Sequence, residues 1–215
     1  MSVLGQLLVL LHGIPGTLAV TAGALAVGVV LGLPVMFIAQ ARWWPLRAVF
    51  RLLIDLVRGI PPIVWIFILY YGLAADVIQL QALAASILGL GLISAVYMAD
   101  VYRSGILSVD AGQWAASRAL GLSETRLFVE IIAPQALRIA TPPAATFALN
   151  LLKDSAIASV IGVMDVAYQA NREAQMSYDN LTIYVIAGII YILMGLPLAV
   201  FSRSVDRRLS VGLQR

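Results

Sequence analysis

Charged side chains set among apolar residues are where this sequence could do chemistry, because an ionisable group in lipid is costly and persists where it has a task. Lys153 and Asp154 sit together in an apolar stretch over residues 136–163, and Tyr97, Asp100 and Arg103 gather around the end of another over residues 81–101. Neighbouring positions on a helix point about 100° apart, so Lys153 and Asp154 are not obliged to bond each other. Asp154 is suited to hold an amino group of a solute, or to pair with Arg103 or Arg58 from another segment, and Lys153 is suited to meet a carboxylate. The competing reading is a buried ion-pair network that only fixes packing. Such a pair need not add net stability, which keeps the first reading in view. Asp55 and Arg58, three residues apart, read more simply as a helix anchor near a membrane surface.

Several other chemistries are excluded by composition. With no cysteine and one histidine, His12, the sequence has no disulfide, thiol nucleophile or thiolate metal site. Neither a metal cluster nor a catalytic triad can be assembled around a single imidazole. No Gly-x-x-x-x-Gly-Lys-Ser/Thr phosphate loop occurs, so the chain is not itself a P-loop ATPase. Any energy input comes from a partner.

The elements that must position these residues are membrane helices. The chain is 61% hydrophobic and 12% charged with a mean hydropathy of +0.95, whereas a soluble domain is about a quarter charged. An all-α integral membrane protein is expected. A span takes about 20 apolar residues, so the 215 residues supply about five spans in a single transmembrane domain and leave no room for a soluble second one. Hydropathy places the spans at residues 17–40, 60–73, 81–101, 136–163 and 181–201. Residues 1–15 form an interfacial helix broken at His12-Gly13-Ile14-Pro15-Gly16, and the first dozen residues lack the basic start of a secretory signal.

Basic residues orient the spans. Arg42, Arg47 and Arg51 stand with Trp43 and Trp44 after the first span; Arg103, Arg118 and Arg126 follow the third; Arg203, Arg207, Arg208 and Arg215 follow the fifth. Arg172 alone falls on the other side, so the positive-inside rule predicts an external N-terminus and a cytoplasmic C-terminus. The net charge of +3 and pI near 9.4 are explained by this topology, and no basic face gathers for nucleic acid. Pro142 and Pro143, with Lys153 and Asp154, predict a bent or discontinuous fourth span. Residues 165–180 are polar and expected outside.

One polar, glycine-punctuated segment interrupts the apolar runs. Asp110 is suited to cap a helix, with Gln113 at the spacing of a capping-box partner. Ala115, Ala116, Ala119 and Leu120 favour helix, Gly121 suits a left-handed terminator, and Ser123 is suited to cap a second helix with Glu124 in its first turn. The expectation is two short helices meeting at Gly121. On local physics alone this is either a docking element or an amphipathic helix lying on the membrane.

The residue pattern decides between them. Gly112, Gln113, Trp114, Ala115, Ala116, Ser117, Arg118, Ala119, Leu120, Gly121, Leu122 and Ser123, followed by Phe128, Pro134-Gln135-Ala136-Leu137-Arg138 and Pro142-Pro143, resemble the coupling-loop signature of ABC importer permeases, nearest to the polar amino acid branch. Arg58-Gly59-Ile60-Pro61-Pro62 with Tyr70-Tyr71-Gly72-Leu73, then Tyr97, Asp100, Arg103 and Gly105, then Lys153-Asp154-Ser155-Ala156-Ile157, resemble that family's segments at the second, third and fourth spans in order and spacing. The resemblance covers residues 17–208.

The resemblance implies a type I importer fold in which residues 110–126 carry the coupling helix, with Asp110 and Gly112 through Ser123 meeting the ATPase. It implies a substrate pathway touching Tyr97, Asp100, Arg103, Lys153, Asp154 and Ser155, and structural or gating positions at Asp55, Arg58, Gly59, Pro61 and Pro134. It implies two ATP-binding subunits using ATP and Mg, a second permease copy or paralogue, an extracytoplasmic binding protein, and a place in the bacterial inner membrane. The chain departs from the family at Ala115-Ala116-Ser117, where members carry Glu-Ala-Ala; at Asp100, where they carry Glu; and at Ser155-Ala156-Ile157, where they carry Thr-Ser-Leu. The missing glutamate weakens the expected coupling and favours a mixed permease pair. The alternative function is an ion-coupled carrier or channel with Asp100, Lys153 and Asp154 as ion sites, which has no need of a docking loop.

Overall fold

The computed structural model describes residues 3–72, 80–177 and 179–212, with side chains to residue 204. Ten α-helices follow one another there: α1 (Val3–Leu11), α2 (Ile14–Ala39), α3 (Trp44–Gly59), α4 (Pro62–Phe67), α5 (Ala82–Leu107), α6 (Ala111–Ala119), α7 (Glu124–Arg126), α8 (Ala133–Asp154), α9 (Val166–Ser177) and α10 (Asn180–Gly212). π-helical turns extend α4 over Ile68–Gly72 and join α7 to α8 over Leu127–Ile132, and a 3-10 segment, Ser155–Ile161, ends α8. Four helical stretches are long and apolar enough to cross a membrane, and a fifth crossing results if α3 and α4, bent by 104°, count as one broken span. Residues 73 and 76, at the expected end of the second span, lie outside the described residues.

Helices α2 and α5 form the centre, running parallel, and glycine lets them touch. A Cβ on Gly32 would lie 2.7 Å from the Cβ of Met98, and one on Gly28 would collide with Ser94. Gly28 and Gly32 form a small-xxx-small face. Apolar lipid gives helices no hydrophobic reason to associate, so van der Waals contact at such faces holds them together. Helix α8 lies antiparallel on α5 with Gly105 against Ala136 and Ala140, and α10 lies antiparallel on α8, with Gly195 near Leu149 and Leu152 and Ser202 near Thr146. These directions gather the ends of α2 and α5 with the 110–126 loop at one pole. At the other pole, the turn before α2 packs on Met164, Asp165 and Val166 at the start of α9.

Several expectations change in the structure. The second short helix expected after Gly121 is only the first turn of the third long helical stretch, because Ser123 caps a segment that runs unbroken through α7, the π turn and α8. The irregularity expected at Pro142 and Pro143 falls instead at both ends of α8, which carries the two prolines in its interior. Thr146 Oγ1 adds a side-chain hydrogen bond to the Pro142 carbonyl at 3.1 Å, whereas the carbonyls that the two prolines leave without an amide partner are those of Arg138 and Ile139. Residues 44–59, read as loop and anchor, form α3 with apolar Val49, Leu52, Leu53 and Leu56 on one exposed face and Arg51, Asp55 and Arg58 on another edge. The polar 165–180 segment is the helix α9, whose Asp165, Gln169 and Glu173 are buried against its neighbours.

Candidate functional site

The 110–126 loop folds as a compact hook. Asp110 Oδ1 accepts from Gly112 N at 2.7 Å and starts α6, and Ser123 Oγ accepts from Arg126 N at 3.4 Å. Gln113 does not close a capping box; its Oε1 accepts from Gln135 Nε2 on α8 at 3.4 Å, tying α6 to the long helix. Gly121 ends α6 at φ +73°, a conformation that penalises any Cβ. Trp114 packs inward with Leu122 and Phe128 on the buried Val109, Leu127, Ile132 and Ala136. Arg118 lies 5.8 Å from the Trp114 ring and donates to Glu124 at 2.9 Å. Ser117 is buried, donating to Gln113 O at 2.7 Å. Gly112, Gln113, Ala115, Ala116 and Ala119 stay exposed, and Leu120 is 81% exposed. The hook therefore has its own small core and a bare outer face.

A second feature crosses the molecule. On α5, otherwise mostly buried, Tyr97, Asp100, Arg103 and Ser104 are exposed along one line; on α8, so are Pro143, Thr146, Asn150, Lys153 and Asp154. Helices α5 and α8 meet where the Tyr97 ring stacks on Phe147 at 4.1 Å and 14°, and Thr146, Asn150 and Lys153 turn to a groove shared with Tyr191 and Gly195 of α10. Near the loop pole the line opens into a pocket of about 220 Å³ lined by Arg51, Asp55, Arg58, Asp100 and Arg103 with Gln40. Within it Arg58 Nη2 donates to Asp100.

The site residues named from sequence thus fall into three groups. Asp100, Arg103, Asp55 and Arg58 come together in the pocket, and Tyr97 stands one turn before Asp100 on α5, against Phe147. Arg58 pairs with Asp100 and not with Asp154. Lys153 and Asp154 lie at the far end of α8, both exposed, outside the two ion pairs seen among the described residues. Ser155 is fully buried and donates to Leu152 O at 2.7 Å, so its hydroxyl faces the backbone. Gly59 and Pro61 flank the α3–α4 bend, and Pro134 begins α8.

A polar corner at the opposite pole carried no signal in the sequence reading. Asp165 is fully buried; its Oδ1 caps α9 by accepting from Tyr168 N at 2.7 Å, while its Oδ2 has no hydrogen-bond partner. Tyr191 of α10 stands beside it, and Thr17 of α2 accepts from Val166 N at 3.2 Å. Burial pushes the Asp165 carboxyl up to about 6, against the backbone amides that hold it down. Gln6 of α1 and Glu173 of α9 are also buried, each with an unpartnered oxygen. The polar composition of 165–180 placed the segment outside the membrane and carried no statement of what covers it. A helix whose polar residues repeat near four, as Asp165, Gln169 and Glu173 do, is the signal that was available.

Residues 24–211 match the family model for the binding-protein-dependent transport system inner membrane component. The chain belongs to this family. It is a type I ABC importer permease, a multi-pass membrane subunit whose system draws on a separate ATP-binding subunit and a substrate-binding protein. The permease is 35% identical over 198 residues to the probable amino-acid ABC transporter permease YckA of Bacillus subtilis, covering 92% of this chain and 88% of that one. It is 33% identical over 199 residues to the octopine transport system permease OccM of Rhizobium radiobacter, covering 88% and 81%. Among solved structures it matches an amino acid ABC transporter crystallised with histidines at TM-score 0.86 and 31% identity, over 93% and 94% of the two chains. An inward-facing MetNI methionine ABC transporter shares the fold at TM-score 0.79 and 19% identity, over 97% and 99%.

Proposed function

We propose that this permease lines the membrane pathway of a bacterial inner-membrane importer for a polar amino acid or a close derivative. The observation that carries the reading is the exposed polar line of α5 and α8. Ionisable groups are not left facing hydrocarbon, so this face meets water, substrate and a second permease copy or paralogue. Relatives named for amino acids and octopine support the substrate class. Tyr97, Asp100 and Arg103 lie on the path toward the loop pole and Lys153 and Asp154 at its other end, where both charge signs suit a zwitterion.

The topology is N-terminus outside and C-terminus in the cytoplasm, supported by the arginines around Trp43, Trp44 and the 110–126 hook. A binding protein delivers substrate at the α1 and α9 pole. Two ATP-binding subunits, using ATP and Mg, dock on the outer face of α6. Their closure and opening swing the hook, and through α8 the pathway opens to alternate sides.

The test is isolation of the intact complex from the native membrane, with subunit masses measured, followed by uptake in proteoliposomes. Two P-loop ATPase copies with a permease pair, and amino acid uptake that stops without ATP, are expected. A stable ATPase-free assembly that transports on an ion gradient overturns the reading.

A further inference from the structure

Away from the polar line, the permease carries a groove of about 270 Å³ whose lining is apolar throughout. Leu33 and Phe37 of α2, Ile106 of α5, Phe128 of the π turn, and Ala133 and Leu137 of α8 form its walls. Tyr102 also lines it, but its hydroxyl is turned away to donate to Val29 O at 3.1 Å. Ile106 lies about 120° around α5 from Asp100, so the groove opens on a flank of the molecule distinct from the pathway face. Its rim is itself apolar, since Leu33, Phe37 and Leu137 are exposed.

The loop-pole end of the groove is basic and aromatic. Arg42 follows Phe37 by five residues, past the end of α2, and Arg126 precedes Phe128 by two. Both are exposed, and Trp43 and Trp44 beside Arg42 are 67% and 70% exposed. Glu130 is the one acid in the four residues after Arg126. Tryptophans settle at headgroup depth, and arginines there draw anionic lipid.

We infer that this groove holds one acyl chain of an anionic phospholipid of the cytoplasmic leaflet, with its headgroup between Arg42 and Arg126. The leaflet assignment rests on the orientation proposed above; the site itself does not. A second permease copy is the weaker occupant, because the polar face already requires one and lies elsewhere. Phe128 belongs both to the groove and to the core that seats Trp114. A bound chain therefore braces α2 against the helix that carries the coupling hook, and ATP-driven transport rises with it.

The experiment places the whole importer complex in nanodiscs of phosphatidylcholine alone or mixed equally with phosphatidylglycerol, then measures retained lipid by intact-complex mass spectrometry and transport-linked ATPase rate. Wild type is expected to retain phosphatidylglycerol in preference. Ala133→Phe fills the groove and abolishes retention. Arg42→Gln with Arg126→Gln keeps a lipid but loses its selectivity by roughly thirtyfold, at about fivefold per interfacial arginine. These arginines are exposed, so the double variant decides the matter even if Ala133→Phe fails to assemble. Equal retention of both lipids by wild type, or unchanged selectivity in the double variant, overturns the inference. So does oxidative crosslinking of Leu137→Cys to a second copy. Absence of an ATPase from the complex would sink the importer reading while leaving the lipid measurement intact.

Discussion

Asp165 shows how one side chain can link pH to stability in this molecule. Its carboxyl, ordinarily at 3.8, is pushed to about 6 by burial, so the folded chain keeps a proton that the unfolded chain has released. Folded molecules therefore bind more protons between those two values, and stability falls as pH rises through that window, by about 3 kcal/mol from the size of the shift. Asp165→Asn retains the cap, since asparagine caps as well as aspartate, but cannot titrate. Thermal unfolding of the purified complex should show the variant equal to wild type below the window, more stable above it, and without the slope between. Arg58 and Asp100 pose the opposite case. Their side chains are 47% and 53% exposed, so the pair is worth no more than about 1 kcal/mol to folding, a Tm change of roughly 2–4 °C for a chain of this size. Arg58→Gln and Asp100→Asn should each raise the uptake KM several-fold while Tm moves within that range. A large loss of Tm with unchanged KM would reduce the pair to a structural tie.

At the scale of elements, the coupling hook separates two jobs that the sequence left merged. Trp114 packs into the hook's own core, whereas Leu120 projects from its surface. Leu120→Asp should abolish ATP-linked uptake and ATPase co-purification while the permease melts as wild type does. Trp114→Ala should lose uptake together with protease resistance of the loop, because it undocks α6 from α8. If Leu120→Asp transports normally, the exposed face of α6 is not the docking surface. The local signals for this hook were legible in residues: Asp110, Ser123 and Gly121 do as caps and terminator what their types predict. Gln113 was not, since a side chain three residues into a helix can serve the cap or a neighbour, and only the approach of Gln135 gives it a partner on α8.

For the whole molecule, the absence of native cysteine makes accessibility directly measurable. Single cysteines at Tyr97, Thr146 and Asn150 should react with a small hydrophilic maleimide in membranes, and protection by transported amino acid should appear at some of them. Cysteines at Leu18 and Leu193, exposed apolar positions away from that line, should stay unreactive as lipid contacts. Uniform failure of these cysteines to react, with no crosslink to another permease, would mean that this face does not border an aqueous path.

Composition, hydropathy and local caps determined the class, the apolar runs and the place of the hook, because a 20-residue apolar run and a local cap each depend on residues close in the chain; the five spans expected are four long helical stretches and a broken pair. The small-residue face of Gly28 and Gly32, the bend between α3 and α4, and the partners of charged residues came only with the tertiary structure. Asp154 was the carboxylate offered to Arg58, but packing put α3 against the loop-pole end of α5, where Asp100 takes that place, and left Asp154 at the other. Burial of Asp165 and Glu173 was marked only by their near-four spacing with Gln169, which does not say what covers that face. Pairing and desolvation are properties of what lies across space, and no spacing along the chain encodes them alone.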